Sequence, residues 1–393
     1  MHSRSGKIRI PYAKQCIDDS DIQAVIDSLK SDFLTQGPKI EAFESALAET
    51  TGARHAVVVS SGTAALHLAF AALGLERNDV GIVPSITFAA TANALVYSGA
   101  EPYFCDANSS SGLSEAVHFK EASNELSSQG REAKVFVPVS FTGRIADLEA
   151  IQSLASEKGA YVVEDAAHSL GALQNGIKSG SCSCSDAAIL SFHPVKLATS
   201  GEGGAVLTND AVLARRMRNM RSHGIEKPDS LLKSEGGWAY AQSELGWNYR
   251  MTDIQASLGL SQLKRLDEFL NRRRALVAAY QQAFSQEPFS SCFNRPSDSE
   301  GSAWHLYVIQ FKTSKLRRAA YDFMRGMGIE VQVHYMPVYR HPYYSEFMEK
   351  VRGGAEEFYS GCLSLPLYPS LSSDEQLHVI DALAQFCQES EWR

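Results

Sequence analysis

Four things are missing from the 393 residues: a long apolar run, a C-x-x-C pair, a low-complexity tract and an excess of basic charge. Crossing a bilayer as a helix takes about 20 consecutive apolar residues, so no membrane partner is expected. The first eleven residues set Arg4, Lys7 and Arg9 among too few apolar side chains for a secretory leader, which points to a cytoplasmic chain. With 37 Lys and Arg against 45 Asp and Glu the net charge is -8. A nucleic-acid partner needs an extended basic face that this balance does not supply, although a small positive pocket stays compatible with it. Of the seven cysteines, the nearest two, Cys182 and Cys184, are one serine apart, a spacing that suits neither zinc nor a disulfide. Reduced thiols and no metal site are the expectation.

What remains is an ordinary globular composition, 44% hydrophobic and 21% charged, in a chain too long for one core. We divide it into a large domain, 1–265, and a smaller C-terminal α+β domain, 266–393. Between Ala56 and Leu207 short apolar runs alternate with helical periodicity. The runs 56–59, 80–84, 102–105, 135–139, 161–164, 187–191 and 205–208 read as strands. Segments 63–73, 88–97 and 147–158 read as helices, the last stopped by Gly159. Such alternation gives a doubly wound α/β domain with a mostly parallel sheet. Further helices are expected at 20–31 and 40–50, packed outside the sheet, and a long helical stretch at 253–284 carries the basic triplet Arg272-Arg273-Arg274. After it comes a strand at 306–311.

In open α/β sheets ligands bind at the carboxyl ends of the strands, so those ends carry the candidates. After the first strand stands Ser60-Ser61-Gly62-Thr63-Ala64. Free N–H groups and the helix dipole suit such a turn to a phosphate, and it serves equally as a plain helix cap. It lacks the lysine of a Walker loop, which disfavours an NTPase. Glu164-Asp165-Ala166-Ala167-His168 places a carboxylate that is an N-cap, a metal ligand with His168, or the partner of a protonated ring nitrogen. Ser191-Phe192-His193-Pro194-Val195-Lys196, closed by Gly201, Gly203 and Gly204, sets one lysine between apolar strands. Desolvation there lowers an amine's pKa and makes it nucleophilic toward an aldehyde. Gly246-Trp247-Asn248-Tyr249-Arg250-Met251-Thr252-Asp253 is by itself an ordinary loop capped by Thr252 or Asp253. Together with the other three segments it makes Asn248 and Arg250 candidates for anion or substrate contact from a neighbouring subunit. Phe88 is either a core residue or a stacking platform, and His334, Tyr335, His341 and Tyr343 form a polar aromatic cluster that either packs at a domain surface, the commoner role of such residues, or lines a sugar pocket.

In this order the motifs resemble the DegT/StrS-type sugar aminotransferases, a fold-type I pyridoxal 5′-phosphate (PLP) family, from Ile10-Pro11-Tyr12 to Pro366-Leu367-Tyr368-Pro369. The resemblance implies a catalytic Lys196 that holds PLP as a Schiff base, with Asp165 on the ring nitrogen. It implies Gly62, Thr63, Ala64 and Ser191 around the phosphate, Phe88 on the ring and His168 near the phenolic oxygen. It also implies a homodimer in which Asn248 reaches the partner's cofactor, and Arg250, His334 and Tyr335 as substrate contacts. The runs Ser31 to Pro38 and Val333 to Tyr339 resemble members that aminate a UDP-linked 4-keto-6-deoxy sugar with L-glutamate for pseudaminic acid. Leu197 and Ser140-Phe141 depart from the common pattern, where a proline and a histidine-containing pair are frequent. A lysine at 196 speaks against the dehydratases of this fold, which carry histidine there. Competing readings are a GDP- or dTDP-linked 3- or 4-keto sugar as substrate, or a PLP-binding regulator without turnover.

Overall fold

A computed structural model describes residues 9–347 and 351–389. The basic positions Arg4 and Lys7 lie outside the described residues. Helices α1 (Asp19–Leu29) and α2 (Pro38–Thr51) lead into the first strand. Then alternate β1 (His55–Val59), α3 (Gly62–Ala72), β2 (Val80–Pro84), α4 (Ala89–Tyr97), β3 (Glu101–Cys105), α5 (Ala116–Ser128), β4 (Val135–Phe136), α6 (Leu148–Lys158) and β5 (Tyr161–Asp165). Strands β6 (Ala187–Ser191) and β7 (Gly204–Thr208) complete a seven-stranded sheet, and α7 (Ala211–Met220) follows. The strand order is β1-β7-β6-β5-β4-β2-β3, with every pairing parallel except those of β7 to β1 and to β6.

The strands read as unbroken apolar runs because both faces of the sheet are covered. Val57, Val59 and Ile189 face Leu66, Phe70 and Leu95 from α3 and α4. Ala56, Val58 and Leu190 turn the other way, into a cluster with Phe119, Leu126 and Ile151 from α5 and α6. Period-two alternation along each strand thus feeds two separate cores, which is the doubly wound arrangement the sequence implies.

Two expected elements differ. The strand at 135–139 stops at Phe136, because Pro138 has no N–H to give the ladder, and only an isolated bridge, Val139 to Asp165, resumes it. The helical stretch 253–284 is two helices, α8 (Asp253–Lys264) and α9 (Leu266–Ala283). The break is at Arg265, whose guanidinium meets Asp18 at 2.7 Å, Asp21 at 3.3 Å and Glu268 at 3.2 Å. A contact to α1 more than 240 residues upstream decides the break, and no local period carries it.

A three-stranded antiparallel sheet, Phe293–Asn294, Tyr307–Phe311 and Cys362–Leu365, builds a further core with Tyr280, Leu383 and Phe386. Helix α9 serves both regions: Leu266 and Leu270 enter the large core, and Leu276, Val277 and Tyr280 the smaller one. Ile10 also joins the smaller core and bridges to Ile329. The basic triplet is not a surface patch, since Arg273 is 1% exposed and Arg272 donates to Leu371 O at 2.7 Å. All seven cysteines are free thiols. No helix among the described residues is long and apolar enough to cross a membrane.

Candidate active site

Parallel strands deliver their carboxyl ends to one edge of the sheet, and there a cavity of about 670 Å³ opens. Gly62 and Thr63 reach it from the end of β1, Phe88 from β2, Asp165 and His168 from β5, and Ser191 and Lys196 from β6. His334 and Tyr335 close it from the C-terminal region. Segments more than 270 residues apart in the chain therefore share one wall.

Asp165 sits at the closed end, with one carboxylate oxygen 2.8 Å from Thr91 Oγ1 and the other accepting the Ala167 N–H at 3.1 Å. Thr87 braces Thr91 at 2.8 Å. Burial pushes the Asp165 carboxyl above its ordinary range, while both hydrogen bonds and the nearby Lys196 pull it back. Lys196 opens toward the cavity, yet its amine is walled in by protein. That burial brings its pKa from 10.5 to about 8, against the pull of Asp165. An amine so placed is substantially neutral, hence nucleophilic, at mildly alkaline pH.

The imidazoles around Lys196 are uncharged. His168 is held well below its usual pKa by burial first, then by Lys196 and His334, and its Nε2 lies 3.4 Å from the Tyr335 hydroxyl. His334 falls to about 3 for the same reasons, with Nδ1 2.7 Å from Ser364 Oγ. Tyr335 stays protonated, raised by burial. Phe88 presents a largely exposed ring at the mouth, 6.1 Å from that of Tyr335.

Three expected residues lie elsewhere in this chain. Ala64 does not line the cavity, and its N–H is taken by the Ser61 hydroxyl at 3.1 Å, so Ser61 is the cap of α3. Asn248 is exposed and bridges to Ser222 through the backbone. Arg250 lines a different groove, of about 570 Å³, together with Arg54, Arg218, Arg221 and Glu44. The cap of α8 is Thr252, while the Asp253 carboxylate takes the N–H groups of Gly37 at 2.8 Å and Lys39 at 3.0 Å. His341 joins the cavity wall, but Tyr343 is 64% exposed and does not.

Sequence reasoning missed Tyr12, Thr87, Thr91 and Glu202, all of which line the cavity. Tyr12 comes from the segment before α1 and lays its ring 5.4 Å from that of His334. A lone tyrosine 322 positions away gives no local signal of that contact.

The DegT/DnrJ/EryC1/StrS aminotransferase family model matches residues 15–384. The chain belongs to this family. It is 37% identical over 382 residues to the spore coat polysaccharide biosynthesis protein SpsC of Bacillus subtilis, covering 95% of this chain and 96% of that one. It is 36% identical over 379 residues, with the same coverage, to a UDP-4-amino-4,6-dideoxy-N-acetyl-β-L-altrosamine transaminase of Campylobacter jejuni. Among solved structures, Helicobacter pylori PseC, an aminotransferase of pseudaminic acid biosynthesis, superposes with TM-score 0.88 at 30% identity over 97% of this chain and 100% of its own. Members of the family have been solved in PLP and pyridoxamine phosphate forms, and this protein is a PLP-dependent aminotransferase.

The residues present fit that cofactor. A Cβ on Gly62 would stand 3.0 Å from Ser191 Cβ, and one on Gly204 would stand 2.4 Å from Ser61 O, so glycine alone lets the β1, β6 and β7 ends close up under a phosphate. The first N–H groups of α3, at Gly62 and Thr63, have no helical acceptor and carry the positive end of the dipole. Across the cavity a buried carboxylate matches a ring nitrogen, and the buried Nδ1 of His168 has no partner among the described residues.

Proposed function

We propose that this protein transfers the amino group of L-glutamate to a nucleotide-linked 4-keto-6-deoxy sugar, with UDP-2-acetamido-2,6-dideoxy-β-L-arabino-hex-4-ulose as the preferred acceptor, and that it works as a cytoplasmic homodimer. One observation carries the chemistry. The desolvated Lys196 amine and the buried Asp165 carboxylate face one cavity from adjacent strand ends. The Campylobacter relative supports the sugar.

Bound PLP supplies an electron sink that lets a proton leave a carbon next to nitrogen. In this reading the Asp165 carboxylate holds the positive charge of the ring nitrogen. Gly62, Thr63 and Ser191 hold the phosphate, Phe88 covers the ring, and His168 stands by the phenolic oxygen. Lys196 Nζ takes up the substrate proton and returns it one position away, so one amine serves as both base and acid. Because it titrates near 8, neither form is prohibitively scarce at neutral pH.

Tyr12, His334 and Tyr335 offer hydroxyl and uncharged imidazole groups to the sugar. For the carboxylates of glutamate and the diphosphate of the nucleotide, the wall has little to offer. Lys196 is its sole lysine or arginine among the described residues. Asn248 and Arg250, which lie outside it, therefore act from a second copy, and the dimer's two-fold axis makes two equivalent sites.

The test is a panel of UDP-, GDP- and dTDP-linked 4-keto sugars with glutamate, read by product mass. The UDP acceptor should give the 4-amino sugar fastest. A faster GDP or dTDP reaction, or amination at C3, would replace the substrate. An absorbance spectrum that glutamate leaves unchanged would turn the enzyme into a PLP-binding regulator.

A further inference from the structure

His305 and Arg273 are among the buried side chains that the mechanism leaves without a task. His305 is 3% exposed, and its ring centroid lies 4.3 Å from that of His168 at 44°. Among the described residues neither Nδ1 has a hydrogen-bond partner, a costly state for a buried polar atom.

The backbone under His305 is clamped from two sides. Arg273 Nη1 donates to the carbonyls of Trp304 at 3.2 Å, His305 at 3.2 Å and Leu367 at 3.0 Å. No carboxylate pairs with Arg273 among the described residues, and burial brings its pKa down to about 10. A buried guanidinium balanced only by carbonyls is a poor source of stability, so its effect on 304–305 is the informative part. From the opposite side Gly143, at φ 105°, bears on the same residues. A Cβ there would stand 2.5 Å from Trp304 N and 2.7 Å from His305 N. The Gly143 and Thr142 carbonyls accept from Ala303 at 2.9 Å and Leu306 at 3.2 Å.

We propose that His305 is a positioning residue, which, held by Arg273 and the 142–143 turn, fixes the orientation and tautomer of the His168 imidazole through its own ring nitrogen. The inference rests on the reading of His168 as the group beside the phenolic oxygen of PLP. The groups facing His168 are Lys196, His334, His305 and Tyr335, with the Phe141 ring tilted at 34° and 5.9 Å away. None supplies a carboxylate to hold a second proton, and burial, Lys196 and His334 disfavour the cation. An uncharged imidazole has one donor and one acceptor, and which is which depends on its neighbours. Of the rings recorded against His168 among the described residues, that of His305 is the nearest, at 4.3 Å against 5.9 Å for Phe141 and 6.3 Å for Tyr335.

The test compares His305→Phe, which keeps a ring without nitrogen, with His305→Asn, which keeps a polar group where Nδ1 stood. Both should bind PLP. In His305→Phe the pH midpoint of the bound cofactor's visible absorbance should move by about half a unit or more. Its kcat should fall roughly tenfold with KM nearly unchanged, and His305→Asn should restore much of both. A His305→Phe protein with the wild-type midpoint, whatever its melting temperature, overturns the proposal. Should that variant not fold, His305→Asn against His305→Leu makes the same contrast. A wild-type protein that takes up no PLP overturns the functional reading instead.

Discussion

The cavity under Lys196 and the groove beside Arg250 are alike in size, about 670 and 570 Å³, and opposite in character. Aromatic rings, the uncharged imidazoles of His168 and His334, the carboxylates of Asp165 and Glu202 and, among the described residues, a single amine line the first. In the second, Glu44 ties down Arg218 and Arg221, while Arg54 and Arg250 have no ion pair among the described residues. Chemistry at a carbonyl wants the first, where burial lets an amine lose its proton. Capture of carboxylates and phosphates wants the arginines. The contrast teaches that, within one chain, the buried amine and the arginine-rich groove lie apart, and the proposed second copy is what would join them.

Five changes break or sharpen this contrast, the largest first. Lys196→Ala removes the cavity's sole amine among the described residues and should lower turnover by about 10⁴-fold or more, measured as product per hour with saturating PLP. Asp165→Asn keeps the shape but not the charge and should cost roughly 10²- to 10³-fold in kcat, with weaker retention of PLP on dialysis.

Arg250→Ala should raise KM for glutamate or the sugar about ten- to a hundredfold and leave the cofactor spectrum alone. Mixing it with Lys196→Ala should regain activity, because a mixed dimer assembles one site with both residues intact. No recovery would assign Arg250 to its own chain and end the contrast.

The unliganded protein should capture PLP at a rate that falls about tenfold per pH unit below about 8, the pKa to which burial lowers Lys196. The sign is fixed by the lowered pKa: the reactive neutral amine predominates above 8 rather than above 10.5. Stopped-flow absorbance between pH 6 and 9 reads it. Smallest, Gly62→Ala must push Ser191 aside by a few tenths of an ångström and should weaken PLP binding about two- to fivefold.

Much of this was legible in the sequence, for physical reasons that vary by element. Strands such as Val80–Pro84 and Ala187–Ser191 are buried on both faces and announce themselves as apolar runs at their observed bounds. Asp165 ends one such run and Lys196 lies a short loop beyond another, so the rule of strand ends points to both. The antiparallel course of β7 between two parallel neighbours leaves no mark in its composition. Neither does the break at Arg265, made by carboxylates of α1, nor the approach of Tyr12 to His334. Asn248 and Arg250 lie outside the cavity of their own chain, and position relative to Lys196 is a matter of tertiary arrangement that no spacing encodes.

The central claim is that Lys196 is the amine that carries the cofactor. Borohydride reduction of the PLP-loaded protein, followed by peptide mapping, should place one phosphopyridoxyl group on the peptide holding Lys196. A label on any other lysine, or none, would contradict the account.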